Sequence, residues 1–162
     1  MIPAAGIPGI GDPAPAFELS NQYGETVRST DLAGAPAVLM FYPFAFSRVC
    51  SGELEALAGL EPEFSAAGAR LLAVSCDAKY SLRAWASEKG WEFDLLSDFW
   101  PHGAAARAFG VFEESRGMAG RSSFILDSDG RIAQILRSGQ DEPRRAADYL
   151  QALSALPARD RN

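Results

Sequence analysis

The 162 residues carry a net charge of −6, with 48% hydrophobic and 22% charged, the balance of one soluble domain able to bury a core. Lys and Arg are scattered, not clustered, which argues against a nucleic-acid partner. Residues 1–11 lack a basic start, and the longest apolar run, 35–46, is broken by Pro36 and Pro43, so neither a secretory signal nor a membrane span is read and a cytoplasmic protein is expected.

Along the chain, residues 17–28 surround a polar turn at Gly24 and predict a small hairpin. Residues 37–42 (AVLMFY) form a continuous apolar run of strand length, suited to a strand covered on both faces. After a loop containing Pro43, a helix is expected over about 47–67, with Leu54, Leu57 and Phe64 on one face and Pro62 kinking or interrupting it. Residues 71–75 (LLAVS) predict a second buried strand. A short helix follows over 81–89, with Leu82 and Trp85 inward and Gly90 at its C-terminal end. Residues 93–96 read as a third strand and 103–109 as a helix. Residues 122–127 and 132–136 flank Ser128-Asp129-Gly130, a hairpin signal. The last helix takes Pro143 in its first turn, with Ala147, Leu150, Leu153 and Leu156 on its inner face. Parallel βαβ units closed by a hairpin and a terminal helix predict a three-layer α/β domain with an N-terminal hairpin and a mixed central sheet, the thioredoxin-like fold being the best-known example. The domain is expected over 11–157, with a flexible extension over 1–10 and a tail over 158–162.

Two cysteines occur, Cys50 and Cys76, with one histidine, His102. That set is too small for a four-ligand zinc site, and no metal or organic cofactor is expected. Cys50 lies where a buried strand passes through a loop into the first turn of a helix. Free N–H groups and the positive end of the helix dipole favour a thiolate there. The plainer alternative is a small buried hydrophobe.

The neighbours favour chemistry. Pro43, Ser47 and Cys50 form P-x3-S-x2-C, which resembles the active-site signature P-x3-[T/S]-x2-C of the peroxiredoxins. The resemblance continues through Gly11–Phe17 (GDPAPAF), Leu95-Leu96-Ser97-Asp98, Phe109-Gly110-Val111 and Arg121–Asp127 (RSSFILD), and Asp98–Gly103 (DFWPHG) is similar to the one-cysteine, alkyl hydroperoxide reductase E type. It implies a thiol peroxidase that reduces hydrogen peroxide and organic hydroperoxides through a Cys50 sulfenic acid. Pro43 would shield the thiol and the Ser47 hydroxyl, usually Thr in the family, would bond the bound peroxide. Arg121 would open a strand and point at the sulfur. It also implies a homodimer and an external thiol reductant, mycoredoxin with mycothiol or thioredoxin.

Thiolate formation alone cannot carry such a reaction. Lowering a thiol pKa from about 8.5 to about 6 raises the thiolate at pH 7 from roughly 3% to roughly 90%. Lost nucleophilicity returns about tenfold of that, leaving a net gain of about threefold. The site must therefore stabilise charge moving to the departing oxygen, with Arg121, the Ser47 hydroxyl and the Cys50 N–H expected to hold the two peroxide oxygens in line with sulfur.

Other residues keep two readings. Glu53, one turn after Cys50, either orients Arg121 or is a solvated helix residue. Arg144 matches a second arginine of many family members or is a surface charge. Arg48 is an exposed loop charge or acts on the thiol electrostatically. Trp85 is expected in the core and His102 is read as structural. The shape around Phe44, Phe46 and Phe112 is expected to set peroxide preference. Cys76 does not match the usual resolving positions and is read as inert, with a Cys50–Cys76 disulfide as the alternative. A disulfide oxidoreductase would need C-x-x-C, and Glu53 occupies the second position. A peroxide sensor or redox relay using the same cysteine without efficient turnover remains open.

Overall fold

The structure, a computed structural model, describes residues 7–139 and 142–156. The N-terminal hairpin is present as β1 (Glu18–Ser20) and β2 (Thr26–Arg28), and β1 joins the main sheet through β5 (Asp94–Ser97). With β3 (Ala37–Phe41), β4 (Arg70–Ser75), β8 (Ser122–Leu126) and β9 (Ile132–Arg137) the sheet runs β2-β1-β5-β4-β3-β8-β9. β3, β4 and β5 are mutually parallel, while β8 and β9 are antiparallel additions, so the sheet is mixed as expected.

Every residue of β3 is buried because the sheet is covered on both faces. Strand alternation sorts the core into two layers. Val38, Met40 and Tyr42 face one layer with Leu71, Ala73 and Ile125, closed by α1 (Arg48–Ala58), α2 (Glu61–Ala66), α3 (Lys79–Lys89) and α5 (Ala146–Ser154). Leu39, Phe41, Leu72, Val74 and Phe124 face the other, with Ala105 and Ala106 of α4 (Ala104–Ala108).

Several expectations need correction. The helix expected over 47–67 is two helices, parted at Gly59 and Leu60. Pro62 sits in the first turn of α2, where its missing N–H removes no helical bond. α3 starts two residues earlier than expected, at Lys79. Pro143 lies outside α5, which begins at Ala146, and the helix buries Tyr149, Ala152 and Leu153 with Leu150 and Leu156 packed alongside, while Ala147 is exposed. A short hairpin of β6 (Phe112–Glu113) and β7 (Met118–Ala119) was not expected. Of the expected extension, Pro8 is buried and the Gly9 N–H bonds the Asp12 carboxylate at 2.8 Å. Residues 1–6 and the expected tail, 158–162, lie outside the described residues.

Candidate active site

β3 ends at Phe41, and Tyr42 and Pro43, both buried, lead into a loop that enters α1 at Ser47. Ser47 is the N-cap by backbone conformation, yet its side chain does not cap the helix. Its hydroxyl donates to the Phe44 carbonyl at 2.8 Å, so its lone pairs are left to accept a hydrogen bond from a ligand O–H. Cys50, in the first turn, is fully buried in the layer that holds Tyr42, Leu54 and Trp85.

Two devices hold the loop. Phe46 has φ of 67°, a left-handed conformation that costs a bulky residue of order 1–3 kcal/mol. Its ring lies 5.8 Å from that of Trp85, which is itself fully buried. The Ala45 N–H donates to the Asp77 carboxylate at 2.8 Å, tying the loop to the connection between β4 and α3. Among the described residues the buried Tyr42 hydroxyl meets no hydrogen-bond partner. Burial, partly offset by nearby Ser75 and reinforced by the Asp77 and Cys50 charges, keeps the phenol protonated far above its usual range.

Sheet register carries Arg121 to this place. β8 runs antiparallel to β3 with Ser123 opposite Met40, so two further residues place Arg121 opposite Tyr42. By alternation Arg121 shares a face with Ser123 and Ile125, the face that α1 and α5 cover. Glu53, one turn beyond Cys50, is buried there. One carboxylate oxygen accepts from the Arg121 guanidinium. The other accepts from the Arg144 backbone N–H at 2.6 Å and its Nε at 2.8 Å. Arg144 also donates to the Phe41 carbonyl at 2.7 Å and the Ser123 hydroxyl at 2.9 Å, and Ser123 shares a 2.7 Å hydrogen bond with Tyr149. Glu53 and Arg144 are thus interior residues rather than solvated ones. Glu53 holds Arg144 by its backbone N–H and its Nε, and α5 starts two residues later, with Arg145 as an N-cap in extended conformation.

A cavity of about 680 Å³ opens beside this network, lined by Pro43, Phe44, Ser47, Arg48, Val49, Arg116, Met118 and Arg121. Among the described residues its lining mixes apolar side chains with three arginines and no carboxylate. Of the three phenylalanines expected to shape it, only Phe44 lines it. Phe46 turns onto Trp85, and Phe112 packs against the Arg107 guanidinium, 4.0 Å from its ring centre. Gly103, at φ 73°, comes so close that a Cβ would sit 2.3 Å from the Phe112 ring. Arg48 is exposed at the mouth, and His102 is exposed with its ring nitrogen 2.7 Å from the Gly117 carbonyl.

Cys76 is separated from Cys50 by the sheet. Continuing the alternation of β4, it faces the layer of Ala105, Ala106 and Ala119, whereas Cys50 belongs to the opposite layer. Both thiols are free. Burial and then the nearby carboxylates of Asp98 and Asp77 push the Cys76 thiol from its ordinary 9.0 to about 12. The sign is clear: the folded chain keeps this proton where an unfolded one begins to lose it, so the group stays un-ionised at neutral pH and favours unfolding only as pH rises from about 9 towards 12. Native protein treated with iodoacetamide at pH 8 is expected to leave Cys76 unmodified, with both cysteines labelled after denaturation; peptide mass mapping reads the outcome.

Comparisons with known proteins identify the family. Residues 10–135 match the AhpC/TSA family model. Alkyl hydroperoxide reductase E of Mycobacterium tuberculosis is 40% identical over 152 residues, covering 92% of this chain and 98% of that protein. Peroxiredoxin Bcp of Escherichia coli is 34% identical over 131 residues, 77% of this chain and 83% of that one. Among solved structures, peroxidoxin BcpB of M. tuberculosis superposes with a TM-score of 0.82 at 29% identity, covering 93% of this chain and 99% of the other. Enterococcus faecalis AhpC gives 0.80 at 30%, covering 90% of each. The sheet order and layers therefore form the thioredoxin-like scaffold, and this chain belongs to the AhpC/TSA family as a peroxiredoxin, a thiol-dependent peroxidase.

Proposed function

We propose that Cys50 is the peroxidatic residue, reducing hydrogen peroxide and organic hydroperoxides that enter through the cavity beside Ser47 and Arg121. The observation that carries this reading is the buried Glu53 carboxylate. One turn after the thiol, it fixes Arg121 at a cavity walled by Pro43 and Ser47. The Cys50 thiolate attacks the terminal oxygen of RO–OH, forming the S–O bond as the O–O bond breaks. The product is a sulfenic acid, and the departing alkoxide takes a proton to become ROH. Arg121 and the Cys50 N–H donate to the oxygen that gains charge, while Ser47 accepts from the peroxide O–H.

Resolution then falls to an outside thiol, because Cys76 faces the other side of the sheet. Such a thiol attacks the sulfenyl sulfur, releasing water and leaving a mixed disulfide that a second thiol reduces. Likeness to the mycobacterial reductase E supports mycoredoxin with mycothiol, or thioredoxin, as reductant. A homodimer is proposed on the same likeness, and the exposed side chains of Phe99 and Trp100 supply apolar surface suited to one. We propose a cytoplasmic setting; no helix among the described residues is long and apolar enough to cross a membrane.

Peroxide consumption with a panel of thiol reductants tests the scheme. Many equivalents of peroxide should be consumed per chain with at least one reductant. Consumption that stops at one equivalent with every reductant would favour a sensor. Intact mass after one equivalent should show no loss of two hydrogens, the mark of an internal disulfide.

A further inference from the structure

Asp77 lies outside the peroxidatic signature and is not needed to describe the chemistry above, yet it holds the loop that carries Pro43 and Ser47. One oxygen of its carboxylate accepts both the Ala45 N–H at 2.8 Å and the Ser75 hydroxyl at 2.7 Å. Its own carbonyl accepts the Ser97 hydroxyl at 2.6 Å, which pins it to the end of β5. Ser75 and Ser97 are register partners on adjacent strands, so the carboxylate stands on a rigid base. On the other side of its bond, Phe46 is held in a left-handed conformation next to Ala45. A strained residue persists only where its surroundings over-determine it, and the Asp77–Ala45 bond is one such restraint.

The loop has two tasks with opposite requirements. For peroxide reduction it must stay closed, since Pro43, Phe44 and Ser47 wall the cavity. For resolution it must open, since Cys50 is completely buried and a thiol sulfur has to come within bonding distance of its sulfur from outside, where a peroxide presents only a small terminal oxygen. We propose that Asp77 is a positioning residue, the latch that sets the balance between these two states by holding the Ala45 N–H. The inference rests on Cys50 being the peroxidatic residue with an external reductant. Asp77 touches neither substrate nor sulfur in this scheme. It acts through the loop, and weakening it should divide the two half-reactions instead of slowing both.

The test compares Asp77→Ala and Asp77→Asn with wild type in the full-length protein by stopped flow. Reaction of reduced protein with hydrogen peroxide is measured separately from reaction of the freshly formed sulfenic acid with dithiothreitol. Asp77→Ala should slow the first at least about tenfold and speed the second at least about threefold. It should also need more excess peroxide to reach the sulfinic acid, read by mass. Asp77→Asn keeps an acceptor without the charge and should shift both rates in the same two directions by less; it carries the test if the alanine variant does not fold. Half-reactions that are both unchanged, or that move in the same direction, in a folded variant would overturn the latch. Cys50→Ser separates the two ideas. If it still turns over peroxide, the reading of Cys50 falls. If it is dead while Asp77→Ala matches wild type, only the latch falls.

Discussion

Replacing Cys50 with Ser should abolish peroxide consumption, by at least about 10³-fold, while Cys76→Ser should stay within about twofold of wild type. A serine hydroxyl has the same position but is scarcely ionised and far less nucleophilic, and no described residue of the site is a base placed to activate it. The only histidine, His102, is occupied with the Gly117 carbonyl, and the buried Glu53 is committed to two arginines. Cys76 differs for geometric reasons: it faces the opposite core layer, and its thiol remains protonated at neutral pH. Hydrogen peroxide and an alkyl hydroperoxide, with dithiothreitol as common reductant, give the comparison. Residual turnover in Cys50→Ser would remove the assignment. A marked loss in Cys76→Ser, with wild-type thermal stability, would return that residue to a resolving role.

What the sequence made legible was local. The spacing from Pro43 through Ser47 to Cys50 works because a strand end, a tight loop and a helix start leave little freedom, so residue separation converts into geometry. Continuous apolar runs such as 37–42 announced a strand covered on both faces, and the structure buries all of β3. Arg121 was reached through family likeness, and register explains afterwards why a residue so distant in sequence arrives opposite Tyr42. Interactions between loops were not legible. Arg144 approaches Glu53 across ninety-one positions, and no periodicity marks a pairing between residues so far apart in the chain. The Asp77–Ala45 bond is equally silent, because nothing in composition or spacing pairs a loop carboxylate with a backbone N–H thirty-two positions away. The two-residue strands of β6 and β7 are too short to alternate, and Phe46 was assigned to the pocket because φ at one residue, which turns its ring onto Trp85, has no signature in composition.

Glu53→Ala is the second large effect expected, and it should strike stability and catalysis together. The carboxylate is almost wholly buried and is shared by Arg121 and Arg144, whose side chains are also nearly inaccessible. Removing it leaves two guanidinium groups close together without their common anion. Breaking a buried pair by deleting one partner costs about 3–5 kcal/mol. For a domain of this size each kcal/mol lowers the melting temperature by about 2–4 °C, so a fall of about 10 °C is expected. Arg144 would lose its backbone and side-chain anchor at once, while keeping its donors to the Phe41 carbonyl and Ser123. Arg121 would lose the partner that aims it, and the peroxide step should slow by at least about a hundredfold. Glu53→Gln discriminates between shape and charge. It preserves volume and one acceptor, so a variant that folds well but remains slow would place the function in the fixed guanidinium, whereas wild-type peroxide kinetics in a folded Glu53→Gln would show that the Arg121 orientation does not depend on this carboxylate's charge.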